Sequence, residues 1–148
     1  LEVKKMAKIS GVNGSVMYGS VVVANQVTWS MSGISQTTTT APTAFGDTGA
    51  KVKEVTDLPD AGTLEFNGNY DPADASGQRV LSELAKLGSH VSNLYLYVNS
   101  ATWWEVGSGG YMIVTKADAV TLPRNAFGTI SFSADISSAF MVQQGTGS

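Results

Sequence analysis

The stretch Asp60-Ala61-Gly62-Thr63-Leu64-Glu65-Phe66-Asn67-Gly68-Asn69-Tyr70-Asp71, "DAGTLEFNGNYD", carries the clearest structural signal in the chain. Successive side chains of a strand point to opposite sides, so Leu64, Phe66 and Tyr70 share one face and Thr63, Glu65, Asn67 and Asn69 the other. One face packs and the other meets water. The period then changes. Asp71-Pro72 suits an N-cap with proline at the first helical position, and Asp74 favours the positive end of a helix dipole. Val80, Leu81, Leu84 and Leu87 form an apolar stripe that Gly88 closes as a C′ residue. These signals predict an α-helix over about 72–87.

The flanking segments repeat the strand period. In "QVTWSMSG" (26–33), Val27, Trp29 and Met31 alternate with Thr28, Ser30 and Ser32, and a one-residue slip would bury the hydroxyls. "SVMYGSVVV" (15–23) reads as a hairpin with Gly19 at the first central position of a type II′ turn. Downstream, Leu94, Leu96 and Val98 oppose Tyr95 and Tyr97, a strand falls around "ATWWEV", and Gly107 to Gly110 make a turn. "YMIVTKADAVTL" (111–122) is long and mixed, and "GTISFSADIS" (128–137) sets Ile130, Phe132, Ala134 and Ile136 against Thr129, Ser131, Ser133 and Asp135. About seven or eight strands and one helix make a mainly β, α+β domain. Its simplest form is a two-sheet antiparallel β-sandwich or partly closed barrel with the helix on its flank.

All 148 residues fit a single domain able to bury a core without disulfide or metal. Residues 1–13 read as an N-terminal arm in which Leu1–Lys5 precede Met6 as an upstream extension, and the Gly- and Ser-rich end, 143–148, is expected to fray.

Composition removes much chemistry. With no cysteine there is no thiol catalysis or thiolate metal site, and one histidine must carry every general-base role. That residue, His90, lies just past the predicted helix, where an imidazole simply meets the dipole. "GVNGSVMYG" precedes a hairpin, and "GSGG" lacks the lysine and hydroxyl of a phosphate loop. The net charge of −3 argues against tight nucleic-acid binding, since the basic residues cluster only at Lys4, Lys5 and Lys8. No apolar run approaches the roughly eighteen residues of a membrane span, and the start lacks a signal peptide's apolar core. The chain reads as soluble, unexported and non-enzymatic, with no cofactor or metal. Trp103 and Trp104 point to opposite faces of a strand, one into the core and the other free for a sugar or a neighbouring subunit.

Residues 36–60, "QTTTTAPTAFGDTGAKVKEVTDLPD", are too long and irregular for an ordinary connection. They contain Asp47-Thr48-Gly49, the tripeptide of aspartic proteases. Gly46, however, sits where a packed apolar residue should precede the aspartate, "TTTTAPTA" replaces the apolar strand upstream, and no apolar-apolar-Gly partner strand follows. The tripeptide reads as a turn within an extended arm.

The order of parts is a hairpin, the strand "VTWSMSG", a long Thr- and Gly-containing excursion, and "DLPDAGTLEFNGNYDPAD" running into "SGQRVLSELAKLG". It resembles the major tail tube proteins of long-tailed bacteriophages, over residues 11–137 and most strongly from Asp57 to Gly88. The resemblance implies a structural virion protein whose hexameric rings stack into a tube through which the genome is ejected. Its partners are then copies of itself, the tape measure, tail terminator and baseplate or tip proteins, and viral DNA passing without specific binding. It is made in the bacterial host cytoplasm and located in the virion tail, away from any membrane. Residues 36–60 become an arm toward a neighbouring subunit or ring, with Thr37, Pro42, Phe45, Asp47, Lys51, Lys53, Glu54 and Asp57 as its candidate contacts. The arm is expected to be mobile in the free subunit and ordered on assembly. Either Thr28, Ser30 and Ser32, or Thr63, Glu65, Asn67 and Asn69, line the lumen. Competing classes are a carbohydrate-binding or adhesive β-sandwich, a tube protein of a contractile tail or secretion machine, and an aspartic protease.

Overall fold

The computed structural model describes residues 14–23, 28–42, 44, 46 and 48–145. The predicted N-terminal arm (1–13), Val27, and the arm residues Phe45 and Asp47 lie outside the described residues.

In chain order the strands are β1 (Ser15–Tyr18), β2 (Val21–Val22), β3 (Thr28–Met31), β4 (Thr38–Thr40), β5 (Lys53–Val55) and β6 (Thr63–Asn69). Helix α1 (Gln78–Leu87) follows, then β7 (His90–Val91), β8 (Leu94–Asn99), β9 (Thr102–Val106), β10 (Tyr111–Thr121), β11 (Thr129–Ser137) and β12 (Met141–Gly145). They form two five-stranded sheets, β12-β9-β8-β1-β2 and β3-β6-β11-β10-β7, and a separate two-stranded ribbon, β4-β5. The pairings are antiparallel throughout the described strands. The sheets do not close on one another, so the architecture is a sandwich and not the partly closed barrel.

The core follows from the period of two. The first sheet supplies Val16, Leu94, Leu96 and Val106, and the second supplies Leu64, Phe66, Met112, Val114, Ile130, Phe132, Ala134 and Ile136. Each large apolar side chain among them contributes about 1.5–3 kcal/mol by leaving water. Phe66 and Phe132 are cross-strand partners whose rings stack at 5.0 Å. Trp29 and Met31 pack against this core as the alternation predicts, and the Trp29 indole N–H donates to the Tyr97 carbonyl at 3.1 Å. That bond joins β3 of one sheet to β8 of the other.

Two expectations change. First, the helix starts at Gln78 rather than near residue 72. Asp71 accepts the Ala73 N–H at 3.0 Å, while Asp74 accepts the Gly77 and Gln78 N–H groups at 3.0 and 3.2 Å, so the acidic side chains organise turns ahead of the helix. Its buried face is Gln78, Leu81 and Ser82 with Leu84 and Ala85 partly covered, whereas Leu87 is 76% exposed. Gly88 ends it at φ 65° as predicted. Second, Gln143, Gln144 and Gly145, expected to fray, form β12 and pair with Trp104, Trp103 and Thr102. The long, mixed segment forms β10, one strand with register shifts between Val114 and Lys116 and between Lys116 and Ala119. Asp118 adopts φ 61° there and accepts a 2.5 Å hydrogen bond from Ser82, fastening the helix to the irregularity. A second clasp is Gln78, whose amide donates to the Asn69 carbonyl at 2.9 Å and accepts from the Asp71 N–H at 3.1 Å. No helix among the described residues is long and apolar enough to cross a membrane.

Candidate functional site

The two sets of polar residues that the sequence offers as alternatives lie on one surface. Because β3 pairs with β6, Thr28 stands opposite Asn67 and Ser30 opposite Glu65. Beyond β3, Ser32 donates its N–H to the Thr63 carbonyl at 2.9 Å, and the two hydroxyls lie 2.6 Å apart. The pairing of β6 with β11 extends the surface, placing Thr63 against Asp135, Glu65 against Ser133, Asn67 against Ser131 and Asn69 against Thr129. On β10, Lys116 faces Ser133 and Thr121 faces Thr129. Thr28, Ser30, Thr63, Glu65 and Asn67 are exposed and Asn69 half-buried. A shallow groove of about 240 Å³ crosses the strands between Thr28, Ser30, Glu65, Asn67, Lys116 and Ser131.

The result is a continuous face of hydroxyls and amides carrying Glu65, Asp135 and Lys116 as its charges. The polar side of β11 is legible in the sequence, but its join to β6 and the place of Lys116 on this face are not. Cross-strand pairing is non-local, and only the shared polar alternation of the two segments hinted at it.

At the far edge Ile113 pairs with His90, and the His90 ring stacks on Tyr111 at 3.7 Å and 4°. Hydrogen bonds from Ser137 and Ser138 hold the Tyr111 phenol below its ordinary range, because they favour the phenolate. No cluster of acidic and histidine side chains among the described residues could hold a metal.

The outer face of the first sheet is different in character. Tyr97 pairs with Ser15 and Trp103, and its ring lies 5.6 Å from that of Trp103 at 30°. Trp104, on the other side of β9, packs against the core, so the two tryptophans divide as the sequence predicts.

The excursion at 36–60 is more regular than its composition suggests. Thr38, Thr39 and Thr40 pair with Val55, Glu54 and Lys53, and bonds from Ala41 N to Val52 O (2.7 Å) and Thr56 N to Thr37 O (3.1 Å) prolong the ladder. Every residue of β4 and β5 is exposed. The threonine run is therefore one strand of a ribbon. It is rooted by a bridge between Ser35 and Asp60 with N–H···O distances of 3.1 and 2.8 Å. Pro42, Thr48, Gly49 and Lys51 line its turn, and Thr37 and Asp57 flank its strands.

No family model matches the chain, and no curated protein matches it by sequence. Solved structures match its fold. A chain of the anti-feeding prophage tube-terminating cap aligns at TM-score 0.63 and 12% identity, covering 98% of this chain and 96% of that one. For a chain of the sheath–tube complex of an extracellular contractile injection system, PVC, in its extended state, the values are 0.64 and 12%, with 94% and 93% covered. The tail of the empty gene transfer agent particle, refined with C6 symmetry, gives 0.59 and 12%, with 95% and 100% covered.

This is the tail-tube type of fold. At such identity the likeness lies in the arrangement of strands and helix, and it extends over nearly the whole of each chain compared. The polar face of β3-β6-β11-β10 and the ribbon are exposed surfaces of this sandwich.

Proposed function

We propose that this chain is the structural subunit of a tube, closing into rings that stack around a lumen lined by the polar face of the second sheet. The observation that carries the reading is that continuous face, in a fold shared over almost its full length with components of tail and injection assemblies. Small hydroxyls and amides with two carboxylates and one lysine repel phosphates weakly and offer nothing for DNA to grip, which suits passage of a genome. Six subunits per ring agree with the C6 symmetry of the gene transfer agent tail. Among the described residues β3 and β12 are edge strands, whose outward backbone groups a neighbouring copy can satisfy, which turns an aggregation hazard into a closed ring. The subunit's role is mechanical, and its other partners are the proteins that cap and fill the tail. Sedimentation velocity across a concentration series tests this: discrete ring and tube species must grow at the expense of monomer, and a single monomeric boundary at all concentrations and salts refutes it.

One observation favours a second reading, a glycan-binding sandwich. The Tyr97–Trp103 pair adjoins an open groove of about 580 Å³ lined by Ser15, Met17, Tyr97, Asn99 and Ser100. It predicts glycan-dependent quenching of tryptophan fluorescence that Trp103→Ala removes. Absence of quenching across a glycan panel eliminates it.

A further inference from the structure

Strand β10 breaks its own alternation around one residue. Met112 and Val114 are buried and pair with Ile136 and Ala134, so an unbroken period of two would point Lys116 into the core as well. It does not. The register passes from Val114–Ala134 directly to Lys116–Ser133, which makes Thr115 an extra residue on β10 and turns Lys116 to the polar face. The Thr115 hydroxyl donates to the Ser133 carbonyl at 3.3 Å and fastens the bulge. The second shift, before Ala119, restores the original phase, since Val120 again pairs with Ile130 of the core. Between the two irregularities Ala117 packs against the core and Lys116 lies exposed.

No other lysine or arginine occurs in β3, β6, β10 or β11, so Lys116 alone is set against Glu65 and Asp135 on this face. It shares the shallow groove with Glu65, and Ser133 stands between them, paired with both. Among the described residues no ion pair joins Lys116 to either carboxylate, the one pair present being Lys86–Glu83 on the helix. Its charge is therefore not cancelled in contact and acts on whatever occupies the space in front of the sheet.

We infer that Lys116 is the counter-charge of the lumen, the residue that keeps a mildly acidic channel passable to a polyanion, double-stranded nucleic acid. The inference rests on the tube reading and names the group within it that sets how strongly the lining repels phosphates. With Lys116 in place, each subunit turns two carboxylates and one ammonium toward the channel. Without it a ring presents carboxylates alone, and their repulsions of a phosphate backbone add. A lysine suits this role better than an arginine. Its ammonium is a compact, hydrated point charge on a flexible stem and touches a passing phosphate transiently, whereas a guanidinium fork would hold one through two bonds.

The absence of cysteine lets the local potential be read directly. Ser131→Cys places one thiol in the groove beside Lys116. Its rates of reaction with an anionic and a cationic methanethiosulfonate of similar size are compared in tubes checked by negative-stain microscopy. Adding Lys116→Gln must lower the anionic-to-cationic rate ratio about fourfold or more at about 10 mM salt, for one charge at about 8 Å, and leave it nearly unchanged at about 1 M. Lys116→Arg must keep the wild-type ratio. In a phage-based ejection assay Lys116→Gln must slow genome delivery at low ionic strength, with added salt restoring the rate. A ratio that Lys116→Gln leaves unmoved in tubes overturns the inference, as does delivery at the wild-type rate at every ionic strength, and both leave the tube reading intact. A Ser131→Cys thiol that reacts in monomers and not in tubes puts this face in a contact between copies and overturns the inference together with the lumen assignment. Failure of wild-type protein to form any ring or tube removes the tube reading itself.

Discussion

Gly62 stands where the arm returns to the body of the protein, and replacing it with alanine perturbs that root alone. Its φ is 97°, and an added Cβ would collide with the Ser32 carbonyl oxygen and lie 3.0 Å from that of Gly33. The surroundings are pinned. The Gly62 N–H donates to Asp60 at 2.8 Å, its carbonyl accepts from Ile136 at 3.1 Å, and Ser32 bonds Thr63 through backbone and side chain. A non-glycine residue in such a conformation costs about 1–3 kcal/mol. Relieving the collision displaces the Ser32–Thr63 bonds at about 1 kcal/mol more. We therefore expect Gly62→Ala to lose about 2–4 kcal/mol, a fall in urea midpoint of about 1–2 M for a denaturant slope near 2 kcal/mol/M. Tryptophan fluorescence reports unfolding at concentrations where the protein is monomeric. Gly49→Ala is the matched control, because Gly49 has φ 99° with nothing among the described residues within 4 Å of where an added methyl would sit, and it belongs to the ribbon rather than the core. It should carry the conformational cost alone and so lose about 1 kcal/mol less than Gly62→Ala. Midpoints for the two variants within about 0.3 M of each other would refute the close approach at Gly62 as the source of the effect.

Three further outcomes follow from the same geometry. Gln78→Leu leaves the Asn69 carbonyl and Asp71 N–H unpaired beneath the helix and should destabilise the monomer by about 2–4 kcal/mol in urea, whereas a loss below about 0.5 kcal/mol contradicts the clasp. Glu65→Lys/Asn67→Lys turns the polar face basic. It should leave assembly unchanged, slow genome delivery in a phage-based ejection assay, and make purified tubes retain DNA in a salt-dependent manner; unaltered ejection argues that this face is not the lumen. For Tyr111, Ser137→Ala should raise the phenol's titration in ultraviolet absorbance, read as the difference from Tyr111→Phe. A depressed acid pKa adds stability above the unfolded-state value and loses it as pH falls through the folded value, so this effect is confined to alkaline pH. A shift in neutral-pH stability of Ser137→Ala would need another cause.

The residues that announced themselves in the sequence were those governed by local period. Thr63 to Asn69 and Thr129 to Ser137 alternate so regularly that inward and outward faces could be read directly, and the structure buries Leu64, Phe66, Ile130 and Phe132 accordingly. The helix was visible but not its start, because Asp71-Pro72 and Asp74 satisfy turn amides as readily as a helix N-terminus. β12 was hidden by its Gln-Gln-Gly composition, and its pairing with β9 joins residues adjacent only in three dimensions. The ribbon was hidden likewise: Thr38–Thr40 has no apolar alternation, since neither face packs on the core. The candidate lumen residues were found in two pieces, and only the pairing of β3, β6 and β11 makes them one surface.

Electron microscopy of the purified full chain tests the central claim most directly. The purified chain should form hollow rings with six-fold symmetry that stack into tubes, with the β3-β6-β11-β10 face toward the channel in averaged images. Dispersed monomers under all salt and concentration conditions would contradict it, and rings with that face outward would contradict the assignment of the lumen.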